Sequence, residues 1–205
     1  MKLDFNLATK VEHGYLLTPE PSKGLVDFPD VYDRVCSVIY HCSMVSGEPV
    51  KKCIPLSAKE ATHIRSALCE FVGLEDLLKQ LYPTLSNAEF AIYKSKNPIL
   101  HMIKLLRNYN VHISNSELSQ KSMKVRTLVD KYGEFDVTVK FISNLSLESL
   151  KLMYSANQYS DSQLIGMIDI FEIEQHEFGV TTLILKAVID YSEHLAKVLS
   201  SNQVT

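Results

Sequence analysis

The chain has 205 residues, 46% of them apolar and 22% charged, with a net charge of −3. That composition excludes a disordered chain and suits one sizeable core, or one domain with a small elaboration. The slight negative charge excludes a global basic field that would draw the protein onto nucleic acid, so any RNA contact has to be local.

Residues 1–27 mix polar residues with Pro19 and Pro21 and read as an irregular N-terminal arm. The first six residues, Met1-Lys2-Leu3-Asp4-Phe5-Asn6, lack the apolar block of a secretory signal. A first helix is expected from Asp30 to about Ser46, with Val31, Val35, Val38, Ile39 and Cys42 on one stripe. Ser57-Ala58-Lys59-Glu60 has the form of a capping box, opening a helix that Pro83 stops near Tyr82. Ile64, Leu68, Phe71 and Leu78 line one face of it, and Ala67, Leu74, Leu77 and Leu81 another. A helix apolar on two faces belongs in the middle of a bundle.

Asn97-Pro98 is a second start signal, a capping residue followed by proline at the first helical position. The apolar run Ile99 to Leu106 leads directly into Arg107. The period then changes from helical to alternating. Met123, Val125, Thr127 and Val129 alternate with Lys124 and Arg126, and Phe135, Val137, Val139 and Phe141 with Asp136, Thr138 and Lys140. This predicts a β-hairpin at about 122–142 with one polar face. Helix returns from Leu147 to about Ala156, then from the capping box Ser160-Asp161-Ser162-Gln163 to about Phe178, then from Val180 to about Ser200. Whether the last two run on through Gly179 is open, because one glycine inside a helix costs only about 1 kcal/mol. The sum is a mainly α fold, a single domain over 1–205 built as a bundle of five or six helices with an inserted hairpin.

No apolar run approaches the roughly 20 residues that span a bilayer, so no membrane partner is expected. Cys36, Cys42, Cys53 and Cys69 form no Cys-x-x-Cys pair and read as reduced thiols, pointing to a cytoplasmic protein. Together with His41 and His63 they match no standard zinc spacing, so neither a metal nor a cofactor is expected.

Chemistry concentrates in Arg107-Asn108-Tyr109-Asn110-Val111-His112. A guanidinium can fork onto two phosphate oxygens, and an imidazole can take or give a proton at neutral pH. RNA carries its own nucleophile, the 2′-OH, beside the scissile phosphate. Arg107 and His112 therefore suffice in type for metal-free cleavage, leaving a 2′,3′-cyclic phosphate and a 5′-OH. Asn108 is a third catalytic candidate, able to bond phosphate or orient the histidine. Tyr109 is a candidate for stacking on a base. Residues five apart on a straight helix lie about 140° apart around its axis. The two asparagines permit a helix end or bend that would turn His112 back toward Arg107. Glu70, on an otherwise apolar stripe, is a candidate to pair with Arg107 and aim it, and Glu75 a second.

An Arg-Asn-x-x-x-His stretch at a helix end, in a small helical bundle, resembles the signature of the HEPN superfamily in its form with four residues between Arg and His. Within it, the apolar run into Leu-Arg-Asn-Tyr-Asn-Val-His followed by a hairpin is similar to an uncharacterised bacterial HEPN group. The resemblance implies a HEPN-like bundle and a homodimer whose two motifs meet in a composite active site. It implies an endoribonuclease acting on single-stranded RNA, in a toxin–antitoxin, abortive-infection or anti-phage setting, with an antitoxin or other regulatory protein as a further partner. The competing reading is a non-catalytic dimerisation or partner-binding module on the same bundle.

Overall fold

Five long helices follow one another round the molecule: α1 (Pro29–Ser43), α2 (Leu56–Leu81), α4 (Pro98–His112), α6 (Asp161–Gln175) and α7 (Gly179–Asn202). Two short ones, α3 (Asn87–Phe90) and α5 (Leu147–Lys151), and one antiparallel hairpin, β1 (Leu118–Arg126) with β2 (Glu134–Ile142), complete the α-helices and β-strands among the described residues, beside four short 3-10 turns. This computed structural model describes residues 2–15, 17–45, 54–112, 118–126 and 133–202. Of Asn110, Val111, His112 and Arg126 it describes the backbone alone. Each long helix packs on the next, α1 on α2, α2 on α4, α4 on α6, α6 on α7, and α7 back on α1. Buried residues from all five make one apolar cluster, with Val35, Leu68, Met102, Phe171 and Leu183 fully enclosed. No helix among the described residues is long and apolar enough to cross a membrane.

The mainly helical expectation holds, the bounds of α1 and α2 lie close to those expected, and α4 and α6 begin at their expected start signals. Asn97 Oδ1 accepts from the Ile99 amide at 2.9 Å and opens α4. Ser160 and Gln163 form the expected capping box ahead of α6. The box expected at Ser57 does not form: α2 begins at Leu56 behind Pro55, with no side-chain cap. Its intended acid, Glu60, is buried and bonded instead to Lys140 Nζ at 2.9 Å. Lys140, placed by alternation on a polar strand face, is likewise buried, while Phe135 at the far end of the same strand is exposed. The hairpin is thus sorted by distance from the bundle as well as by face. Its base, with Val139 and Ile142, is covered on both sides.

One further expectation changes, and one open point closes. The helix expected over Leu147 to Ala156 stops at Lys151; Met153 is extended, and a 3-10 turn follows over Tyr154–Gln158. The α6–α7 join is a break: Gly179 has φ +82°, and a Cβ there would lie 2.8 Å from the Lys140 carbonyl oxygen and 3.1 Å from Val139 Cβ. A left-handed backbone and a strand pressed against it both require glycine at this point. The N-terminal arm is irregular, yet it is tied down. The Asp4 amide donates to the Lys96 carbonyl, Asn97 Nδ2 to Thr9 Oγ1, and the Val11 amide to Glu174 at 2.7 Å.

Replacing Gly179 by alanine adds backbone strain to a steric clash and should lower unfolding free energy by roughly 2–4 kcal/mol. Gly133→Ala, at φ +63° with nothing within 4 Å of the added Cβ, should lose only about 1 kcal/mol. Urea denaturation of the two variants measures the difference. Lys140→Met should cost about 3–5 kcal/mol by stranding the Glu60 carboxylate. Adding Glu60→Leu should recover most of that loss in the same assay.

Candidate phosphodiester site on helix α4

Helix α4 is held by its apolar residues and leaves a polar strip facing outward. Ile99, Met102, Ile103, Leu105, Leu106 and Tyr109 are buried, while Lys104, Arg107 and Asn108 are partly exposed. Lys104 Nζ pairs with the carboxylate of Glu75 on α2. That carboxylate is buried and also accepts from the Ile92 amide at 2.5 Å. One turn further along α4, Asn108 Nδ2 donates to Ser155 Oγ at 3.0 Å. Arg107 stands between these anchors with no carboxylate partner among the described residues.

The helix continues through the motif to His112, so the expected end or bend at the asparagines is absent. At about 100° per residue, positions 107 and 112 lie about 140° apart with position 108 between them. Their Cα atoms are separated by a rise of about 7.5 Å along the axis. The two positions therefore flank the Asn108 strip within one chain. The His112 side chain lies outside the described residues.

Three supporting assignments are corrected. Tyr109 is 2% exposed and cannot stack on a base, because the apolar face of α4 turns it inward. Glu70 pairs with Arg34 of α1 at 2.8 Å, so it does not aim Arg107. Glu75 serves Lys104 and the Ile92 amide, and its contribution is to fix α4 against α2. Asn108 keeps its place on the strip, with one amide hydrogen committed to Ser155. Sequence spacing gave no signal for Ser155, 47 residues away, whose partnership with Asn108 depends on the 3-10 turn after α5.

Beneath the strip, His101 is fully buried. Its Nε2 donates to the Ser95 carbonyl at 2.8 Å, since a carbonyl only accepts, and its Nδ1 accepts from the Tyr159 hydroxyl at 2.7 Å. Burial holds its pKa below the usual histidine value and raises that of Tyr159. His41 and His63 meet Nδ1 to Nδ1 at 3.2 Å across α1 and α2. His63 is also lowered, first by burial and then by His41 and Lys59. Cys42 is buried, which pushes its thiol pKa up; Cys53 lies outside the described residues. No group of three metal-ligating side chains occurs among the described residues.

A cavity of about 390 Å³ lined by Thr9, Phe90, Asn97, Leu100, Asp190 and Tyr191 lies elsewhere, and neither Arg107 nor Asn108 borders it. No family model, curated protein or solved structure matches this chain.

Because His101 binds a proton less readily folded than unfolded, its contribution to stability is whole above about pH 6.5 and drains as pH falls below it. The wild type should therefore lose more stability between pH 7 and pH 5 than His101→Leu does. Urea midpoints at the two pH values measure both slopes, and equal slopes would show that the proton goes elsewhere.

Proposed function

We propose that the protein is a HEPN-like, metal-independent endoribonuclease of single-stranded RNA, acting as a homodimer in a toxin–antitoxin or anti-phage setting. The observation that carries this reading is Arg107: a guanidinium on the rigid outer strip of α4, beside Asn108, with no carboxylate to neutralise it among the described residues. A guanidinium with no carboxylate partner among the described residues is suited to an external anion. The mainly helical bundle is of the kind the motif resemblance implies.

In this reading Arg107 forks onto two non-bridging oxygens of the scissile phosphate and offsets charge developing there. One histidine draws the proton from the 2′-OH, which attacks phosphorus and forms the 2′,3′-cyclic phosphate. The same imidazole, now protonated, returns a proton to the departing 5′ oxygen. A continuous α4 sets Arg107 and His112 on opposite flanks of one strip, which favours a site shared between two chains: the arginine of one protomer with the histidine of the other.

Purified protein should cleave a labelled single-stranded RNA in EDTA, and Arg107→Ala or His112→Ala should slow it about 10²- to 10⁴-fold. Mixing the two inactive variants should restore about a quarter of wild-type activity, because half the dimers carry one intact site of two. Equal RNA integrity with wild type and both variants would overturn the nuclease reading and leave a dimerisation or partner-binding module. Cleavage that vanished on chelation would overturn the metal-free mechanism.

A further inference from the structure

With Tyr109 buried, the strip around Arg107 has a guanidinium suited to a phosphate and no exposed aromatic ring among the described side chains of α4. A guanidinium and an amide hold a sugar–phosphate backbone but make no use of the bases, which in single strands are free to stack. The neighbouring segment supplies such a surface. Tyr154 is 91% exposed, and Leu152 beside it 73%.

The exposure of Tyr154 is not that of a loose loop. Met153 and Ala156, on either side of it, are buried in the core. The Ala156 amide donates to the Met153 carbonyl at 2.9 Å and the Tyr159 amide to the Ala156 carbonyl at 3.0 Å, closing the 3-10 turn. Tyr159 anchors the far end of that turn through its hydroxyl on buried His101. The next residue, Ser155, accepts from Asn108, the residue after Arg107. A ring held outward on a pinned turn has lost its backbone freedom before any ligand arrives, which lowers the ordering cost of stacking on it. The turn is also locked by hydrogen bond to the same strip that would hold the phosphate.

We propose that Tyr154 is the base-stacking platform of this site, extended by Leu152, and that its ligand is an unpaired nucleobase of the strand whose phosphate Arg107 holds. This rests on the nuclease reading for the choice of ligand. It differs in being a statement about binding, which can be read without cleavage. Stacking tolerates any base, so the platform sets affinity for single strands over duplexes and not sequence preference.

The test is fluorescence anisotropy with a labelled oligouridylate and a labelled oligoadenylate of twelve nucleotides, and with the corresponding duplex, in EDTA. Tyr154→Ala should weaken single-strand binding about 5- to 150-fold, the range that loss of one stacked base gives. Tyr154→Phe and Tyr154→Trp should stay close to wild type, because the ring is retained, and duplex binding should be indifferent to all three. In the cleavage assay Tyr154→Ala should raise KM by the same factor with kcat nearly unchanged. Wild-type affinity in Tyr154→Ala, or an equal loss in Tyr154→Phe, would overturn the proposal, as would a wild type that binds no single strand. A dimer that dissociates on Tyr154→Ala in size-exclusion chromatography would reassign the ring to a contact between copies of this chain. The two readings fail separately: undiminished cleavage by Arg107→Ala sinks the nuclease, and undiminished binding by Tyr154→Ala sinks the platform.

Discussion

The buried carboxylate of Glu75 sets the position of everything that surrounds it. It lies on α2, accepts the Ile92 amide from the segment leading toward α4, and takes the Lys104 ammonium from α4 itself. An isolated ionised carboxyl group in that environment would cost several kcal/mol. The two donors must therefore come to it together. One group thus ties the longest helix, the turn that re-enters the bundle and the helix that bears the motif. Its electrostatic reach also extends to the hydroxyls of Tyr159 and Tyr191, both held protonated chiefly by burial and further by this charge.

Around that anchor the polar interior is paired within itself, several groups serving two partners. His101 spends both ring nitrogens on Ser95 and Tyr159. Lys140 and Glu60 neutralise each other where the hairpin meets α2. Gln175 bonds both the amide and the carbonyl of Ile142, clamping the end of β2 to α6. No buried side-chain nitrogen or oxygen among the described residues lacks a partner. Arg107, partly exposed on the anchored α4, is outside this buried pairing and has no carboxylate partner among the described residues.

Much of the fold was legible because its signals are local. Asn97-Pro98, Ser160 with Gln163 and Pro83 each act within one turn of the residue that carries them, and those boundaries fall close to expectation. What misled were residues whose partners are distant in sequence. Glu60 has the spacing of a capping acid but meets Lys140, 80 positions on, and a buried ion pair outweighs one exposed cap. Ser86 and Glu89 carried the same capping pattern and do form the box, on the four-residue helix α3 that the apolar period was too short to reveal. At the site, residue types on α4 were readable, whereas their surroundings were not. Arg34 claims Glu70 and the core claims Tyr109, and neither relation has a sequence spacing that announces it.

The tethering of the arm has a consequence for how the molecule is made. The Val11 amide is satisfied by Glu174, 163 positions later, and the Ser22 amide by Ser192, 170 positions later. At synthesis rates of about 5–20 residues per second, those groups wait roughly 8 to 35 seconds for their partners to exist. Until α6 and α7 emerge, the ring of helices has a gap where they belong, and the nascent chain exposes the inner faces of α1, α2 and α4. Closure of the bundle, and the seating of the arm upon it, is therefore a late event in the life of the nascent chain.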